Sequence, residues 1–199
     1  MKKISNFNAG FITFAAMPKH RIVITGGGGS GKSSLIEYFI AHGFNAMREV
    51  AREQIRISLE NNSRALPWDD IQAFSENVQA QMVVDFNAFP EADYAFYDRC
   101  LLDVLSYLVL DKRPSYPTLN QAIENHRYFE QVFILPPWQE IFTKDDERME
   151  DFEDTIKAFE VIKETYEAHG YQVVELPLAS VEARVEFILN HLKRRGIEI

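Results

Sequence analysis

The stretch Arg21-Ile-Val-Ile-Thr-Gly26-Gly-Gly-Gly-Ser-Gly31-Lys-Ser33, continued by Ser34-Leu-Ile-Glu-Tyr-Phe-Ile-Ala41, decides how this chain is read. The run Ile22 to Thr25 is β-branched throughout and reads as a buried strand. Residues Gly26 to Ser33 then match the spacing G-x-x-x-x-G-K-[ST]. Beyond them the apolar residues recur at helical spacing. Strand, glycine-rich loop and helix, in that order, form an anion-binding nest. The loop's N–H groups turn inward and the helix N-terminus adds partial positive charge. Gly26, Gly27, Gly28, Gly29, Ser30, Gly31, Lys32, Ser33 and Ser34 are therefore read as a phosphate-binding loop. Lys32 can reach the β- and γ-phosphates of a nucleoside triphosphate, and Ser33 can ligate Mg²⁺. A flexible glycine linker that happens to precede a lysine is the competing reading, and it requires neither flanking element.

The rest of the composition bounds what such a loop can serve. The chain has 199 residues, 46% of them hydrophobic, which suits one α/β domain with its own core. No segment approaches the roughly 20 consecutive apolar residues of a membrane helix. The single cysteine, Cys100, leaves no partner for an internal disulfide and points to a reducing, cytoplasmic setting. His20, His42, His126, His169 and His191 are scattered without metal-ligand spacing. A formal charge of −9 disfavours broad binding to nucleic acid. The cluster Lys193-Arg194-Arg195 reads as cations complementing the end of the last helix. Residues 1–16 carry two lysines and a short apolar run too interrupted for a signal peptide, and are read as an N-terminal appendage. Residues 17–199 are read as one domain, with Met17 as an alternative translation start.

Strand and helix signals alternate along that domain. Strands are expected at 21–25, 43–47, 94–97, 131–135 and 171–176. Helices are expected near 49–60, 69–89, 101–110, 152–168 and 181–193. This order implies a five-stranded parallel sheet with helices on both faces. Right-handed crossovers place every strand-to-helix loop at the sheet's carboxyl edge, where ligands bind. Asp69 or Asp70 can cap the helix after Pro67, and Gly170 can close the helix before it. Residues 111–125, with Pro114 and Pro117, read as a surface excursion with a short helix after Thr118.

The same edge collects charged residues. Asp98 ends the third strand, where a carboxylate can hold Mg²⁺ or accept a proton from an attacking hydroxyl. Its competing role is to cap the helix that follows. Arg99 beside it can hold a substrate anion. Glu49 and Arg52, three apart on one helix face, are either an ordinary surface ion pair or substrate-binding groups. Between 138 and 153, Lys144 and Arg148 stand among carboxylates, and an arginine there can close over phosphates. Gln79 and Gln81 are candidate polar contacts. Cys100 near a helix start is read as a packed small side chain rather than a reactive thiol.

Taken together, Arg21 to Ser34, Arg48 to Glu53, Phe96-Tyr-Asp-Arg99, Phe133 to Trp138, Asp146-Glu-Arg148 with Glu150 and Phe152-Glu153, and Ser180 to Ile188 resemble the AAA_28 group of P-loop proteins. That group is similar to the nicotinamide riboside kinase domain of bacterial NAD regulators, and to an animal GTP-binding protein associated with phosphatidic acid. Ring-forming ATPases of similar name carry a helical lid domain and a sensor arginine, neither of which is legible here. The spacing resembles the nucleoside and nucleotide kinase branch instead. The resemblance implies a P-loop NTPase fold with a lid after strand four, Arg148 as the lid arginine, and Glu49 and Arg52 on the substrate side. The expectation is a small-molecule, nucleoside-like kinase that uses ATP and Mg²⁺. Lys32, Asp98 and Arg148 would be catalytic. Glu49, Arg52 and Arg99 would face the acceptor, and Ser33 and Asp98 would hold the metal. A nucleotide-dependent switch or slow NTPase, using ATP or GTP, is the alternative. The absence of an Asn-Lys-x-Asp motif weighs against guanine reading. A homodimer is left open.

Overall fold

The computed structural model describes residues 20–89, 92–143 and 151–199. The expectations for residues 1–16, Met17, Lys144, Arg148 and Glu150 lie outside the described residues. The elements follow in the order β1 (His20–Gly26), α1 (Lys32–Ala41), β2 (Ala46–Met47), α2 (Val50–Glu60), α3 (Ile71–Phe86), β3 (Tyr94–Asp98), α4 (Leu101–Leu110), α5 (Pro117–Asn125), β4 (Gln131–Leu135), α6 (Phe152–Ala168), β5 (Gln172–Glu175) and α7 (Val181–Arg194).

All five strands are parallel, in the order β2-β3-β1-β4-β5. Alternation along each strand divides the core between the two faces. Val23, Ala95, Tyr97, Val132 and Ile134 point to one side, where α3, α4, α5 and α6 cover them. Ile22, Ile24, Phe96, Phe133 and Leu135 point to the other, beneath α1 and α7. Strands buried on both sides read as continuous apolar runs, as these do. Each fully buried Leu, Ile or Phe contributes roughly 1.5–3 kcal/mol by leaving water.

The first strand sits in the middle because β3 and β4 flank it. The loop after β1 is therefore walled by the carboxyl ends of both neighbours. Ile24 lies in register with Asp98, and Gly26 with Leu135.

Several boundaries differ from the sequence reading, most of all in three elements. The second strand shrinks to Ala46–Met47, because an edge strand pairs on one side only. The helix in the polar excursion begins at Pro117, whose fixed φ and missing N–H suit a first turn. The helix expected near 69–89 begins after Asp70, whose side chain accepts from the Ala73 N–H, and ends at Phe86.

Candidate active site

All five strand-end segments converge on one cleft of about 1100 Å³. The loop after β1 forms one end. Gly26 has φ of 140°, and a side chain there would begin 2.6 Å from the Leu135 carbonyl oxygen. Only glycine fits both the torsion and the contact. Gly31 is the N-cap of α1 at φ 91° and brings no side-chain acceptor, so the first amides of α1 have no side-chain cap. Lys32 runs back beneath the loop, and its Nζ donates to the Gly27 carbonyl at 2.8 Å. Ser30 Oγ donates to the same carbonyl at 3.0 Å. Burial, with Arg99 nearby, pulls the Lys32 ammonium down to about 8. Ser33 and Ser34 are exposed on the first turn of α1, and both line the cleft.

Asp98, at the end of β3, is 4% exposed, and its Oδ1 is buried without a hydrogen-bond partner. Burial and the neighbouring Glu49 carboxylate push it up to about 7. Helix capping is not its role. Cys100 takes the N-cap of α4, and its amide donates to Asp103 Oδ2 at 2.9 Å.

Arg99 departs from ordinary backbone geometry, at φ 72°, with its amide donating to Ile24 O at 2.9 Å. Its guanidinium donates to Glu49 Oε1 at 2.8 Å, to Asp103 Oδ1 at 3.0 Å and to the Tyr107 hydroxyl at 3.2 Å. It is thus a buried fork clamped between two carboxylates. Burial works to raise the Glu49 pKa, but Arg99 and Lys32 outweigh it and hold the carboxyl down at about 2. Arg52 lies 3.4 Å from Glu49 on the cleft wall. The structure therefore brings Glu49, Arg52, Arg99, Asp98 and Lys32 together at the junction of loop and sheet edge. Arg148 lies outside the described residues. Gln79 and Gln81 point elsewhere, to Thr118 O and Asp85. Cys100 is a core residue 3.0 Å from the Tyr166 hydroxyl, and burial pushes its thiol up to about 12.

Several contributors escaped the sequence reading. Asp103 is one of the most buried carboxylates and accepts from Thr25, Arg99, the Cys100 amide and Tyr166. Its signal was a lone carboxylate in the apolar run Leu101–Leu110. Thr155 packs against Gly27 and donates to Gly28 O at 3.1 Å, tying α6 to the loop. Arg184 does the same from α7, donating to Ser30 O at 3.0 Å. Beyond Glu49 the cleft opens between α2, α3 and α4, with Trp68, Ile71, Phe74, Val78, Met82 and Tyr107 among its walls. No group of three or more potential metal ligands occurs among the described residues. No described helix is long and apolar enough to cross a membrane.

Loop, sheet order and strand-edge carboxylate define a P-loop α/β domain. The chain belongs to the AAA_28 family, described as an AAA domain, whose model matches residues 21–184. No curated protein sequence matches it. Among solved structures, the NadR protein in complex with NR is similar with a TM-score of 0.68 at 16% identity, over 91% of this chain and 52% of that one. The chain thus spans about half the length of that protein. Deoxyadenosine kinase from M. mycoides is similar at a TM-score of 0.55 and 18% identity, over 88% of this chain and 99% of that one. Thymidylate kinase from Candida albicans is similar at 0.59 and 10% identity, over 90% and 93%. The fold is shared with these proteins.

Proposed function

We propose that the chain is a small-molecule kinase that moves the γ-phosphoryl group of ATP to a hydroxyl of a nucleoside-like acceptor. One observation carries this reading. The cleft does not end at the phosphate loop but continues past a Glu49–Arg99 ion pair into a side-chain pocket large enough for a second molecule.

ATP lies with its phosphates on residues 26–34. The loop amides and Lys32 hold the β- and γ-phosphates and stabilise charge on the transferring group. The residues present fit a magnesium ion. Asp98 offers a buried carboxylate oxygen without a partner, and Ser33 offers a hydroxyl at the start of α1. When bound, Mg²⁺ would offset the negative charge of the β- and γ-phosphates. The acceptor hydroxyl occupies the junction, where Glu49 accepts its hydrogen bond and Arg99 keeps Glu49 ionised and in place. The acceptor oxygen forms a bond to the γ-phosphorus as the bond to ADP breaks. The hydroxyl proton passes to Glu49 late in that step, since a loose transition state makes little demand for early deprotonation. This moves the base role from Asp98 to Glu49, because Glu49 lines the cleft and Asp98 sits behind it. Arg52 is assigned to the acceptor side and Arg148 to closure over the phosphates.

The test is ATP and GTP consumption by the purified chain, with and without a panel of nucleosides. ADP release that depends on an acceptor is the expected result. Slow hydrolysis indifferent to every acceptor replaces this reading with a nucleotide switch.

A further inference from the structure

Arg184 lies on the same stripe of α7 as Val181, Val185 and Ile188, and is 2% exposed. A guanidinium placed among apolar side chains requires compensation, because an unpaired buried cation is strongly disfavoured. The compensation here is partial. Its terminal NH1 donates to Ser30 O, and its Nε donates to Pro177 O, both at 3.0 Å. Its guanidinium carbon stands 4.9 Å from the centre of the Trp138 ring. The second terminal nitrogen is buried with no hydrogen-bond partner. Burial alone shifts its titration, downward, and no described carboxylate acts on it.

The position of that charge is specific. A side chain at Gly31 would begin 3.1 Å from the Arg184 NH1. The guanidinium thus stands beside the N-terminus of α1, which also carries Lys32. A buried guanidinium nitrogen without a partner, on a group beside a helix N-terminus, is an arrangement that an arriving polyanion stabilises and an empty loop does not.

We propose that Arg184 is a positioning residue for the donor nucleotide: it holds the Ser30 carbonyl so that the loop amides face inward, and its charge is balanced by the polyphosphate. This rests on the reading of the cleft as a nucleoside triphosphate site. The chemistry it recognises is the phosphate chain, and neither the base nor the acceptor.

Calorimetric titration of the full chain tests it, using magnesium–ATP and adenosine as separate probes, so that adenosine reports binding that involves no phosphate wherever in the cleft it sits. Arg184→Met is expected to weaken ATP about tenfold or more, as loss of a charge-assisted contact does. Adenosine binding stays within about twofold, because no phosphate is present to lose that contact. Arg184→Lys keeps the charge and loses the fork, so its ATP affinity falls between the two. ATP bound by Arg184→Met as tightly as by the wild type overturns the assignment. Equal weakening of ATP and adenosine overturns it too, since that reports general packing. Should the methionine variant not fold, Arg184→Lys carries the test. Its expected loss is confined to ATP, and a loss shared with adenosine is the overturning result. A wild-type chain that binds no nucleotide removes both this inference and the kinase reading. Normal wild-type binding with unaffected variants removes this inference alone.

Discussion

The two ends of the cleft are built by opposite means. At the proposed phosphate end, the binding groups are main-chain groups of one unbroken stretch, and side chains brace them from behind. Thr155 and Arg184 reach the loop from α6 and α7 and bond its carbonyls. At the proposed acceptor end, side chains form the walls, and they come from α2, α3 and α4 and the residues just before them. Glu49 and Arg99 meet there across fifty positions of sequence. A backbone-built site tolerates changes in what surrounds it as long as the torsions hold. A side-chain-built site depends on each pair of partners, and is where relatives of one fold can diverge in substrate.

The sharpest test of the phosphate end is Lys32→Ala. Turnover should fall by about 10³-fold or more, since one ammonium meets the developing charge. Thermal unfolding should stay near wild type, because Lys32 is a buried cation held by one carbonyl contact. A variant with wild-type turnover breaks the comparison at its base. Gly26→Ala tests the backbone instead. The added carbon meets Leu135 O at 2.6 Å and the torsion is strained, so a stability loss of about 3 kcal/mol is expected by chemical denaturation. An unchanged midpoint would show that the loop can relax around a side chain.

Glu49→Gln probes the other end. It removes a charge from the Arg99 clamp while keeping the shape. The acceptor kcat/KM should fall about 30-fold with nucleotide affinity nearly unchanged. Parallel losses in both would mean that the two ends are not separable.

Asp98 stands between them, and its titration gives a smaller signal. It ionises near 7 when folded and near 3.8 when unfolded. Across that window the folded chain holds a proton that the unfolded chain has released. Stability of the ligand-free protein should therefore decline as pH rises from about 4 to about 7. Asp98→Asn should remove that part of the slope, measured as the difference between two pH series of thermal unfolding. Magnesium–nucleotide affinity should move the other way, strengthening as Asp98 ionises. The smallest effect is expected of Tyr166→Phe, which deletes a 2.5 Å hydrogen bond to Asp103 Oδ2, the oxygen that does not accept from Arg99. About 1 kcal/mol of stability should go, with little change in kcat.

The legibility of each end follows from its construction. The loop was readable residue by residue because its chemistry depends on torsions and on two fixed side chains, both encoded locally. The strands and their order of appearance were readable from alternating apolar runs. Arg99 was picked out by its position after a strand, but its clamp was not, because Asp103 and Tyr107 become its partners only once α4 has formed. Asp98 carried two readings in the sequence, with metal or proton chemistry favoured over helix capping. The capping contact from Asp103 removed one of them.

Arg184 marks the limit most clearly. In sequence it is one basic residue in an amphipathic helix, and nothing nearby separates it from Arg194 or Arg195. Folding places it against Ser30, 154 positions away. The chain's local order thus determined a phosphate loop, a parallel sheet and the edge at which the proposed chemistry sits. Which charges face each other across that edge was decided only by packing, because electrostatic partnership depends on distance in space and side-chain burial, and neither is a property of neighbouring residues.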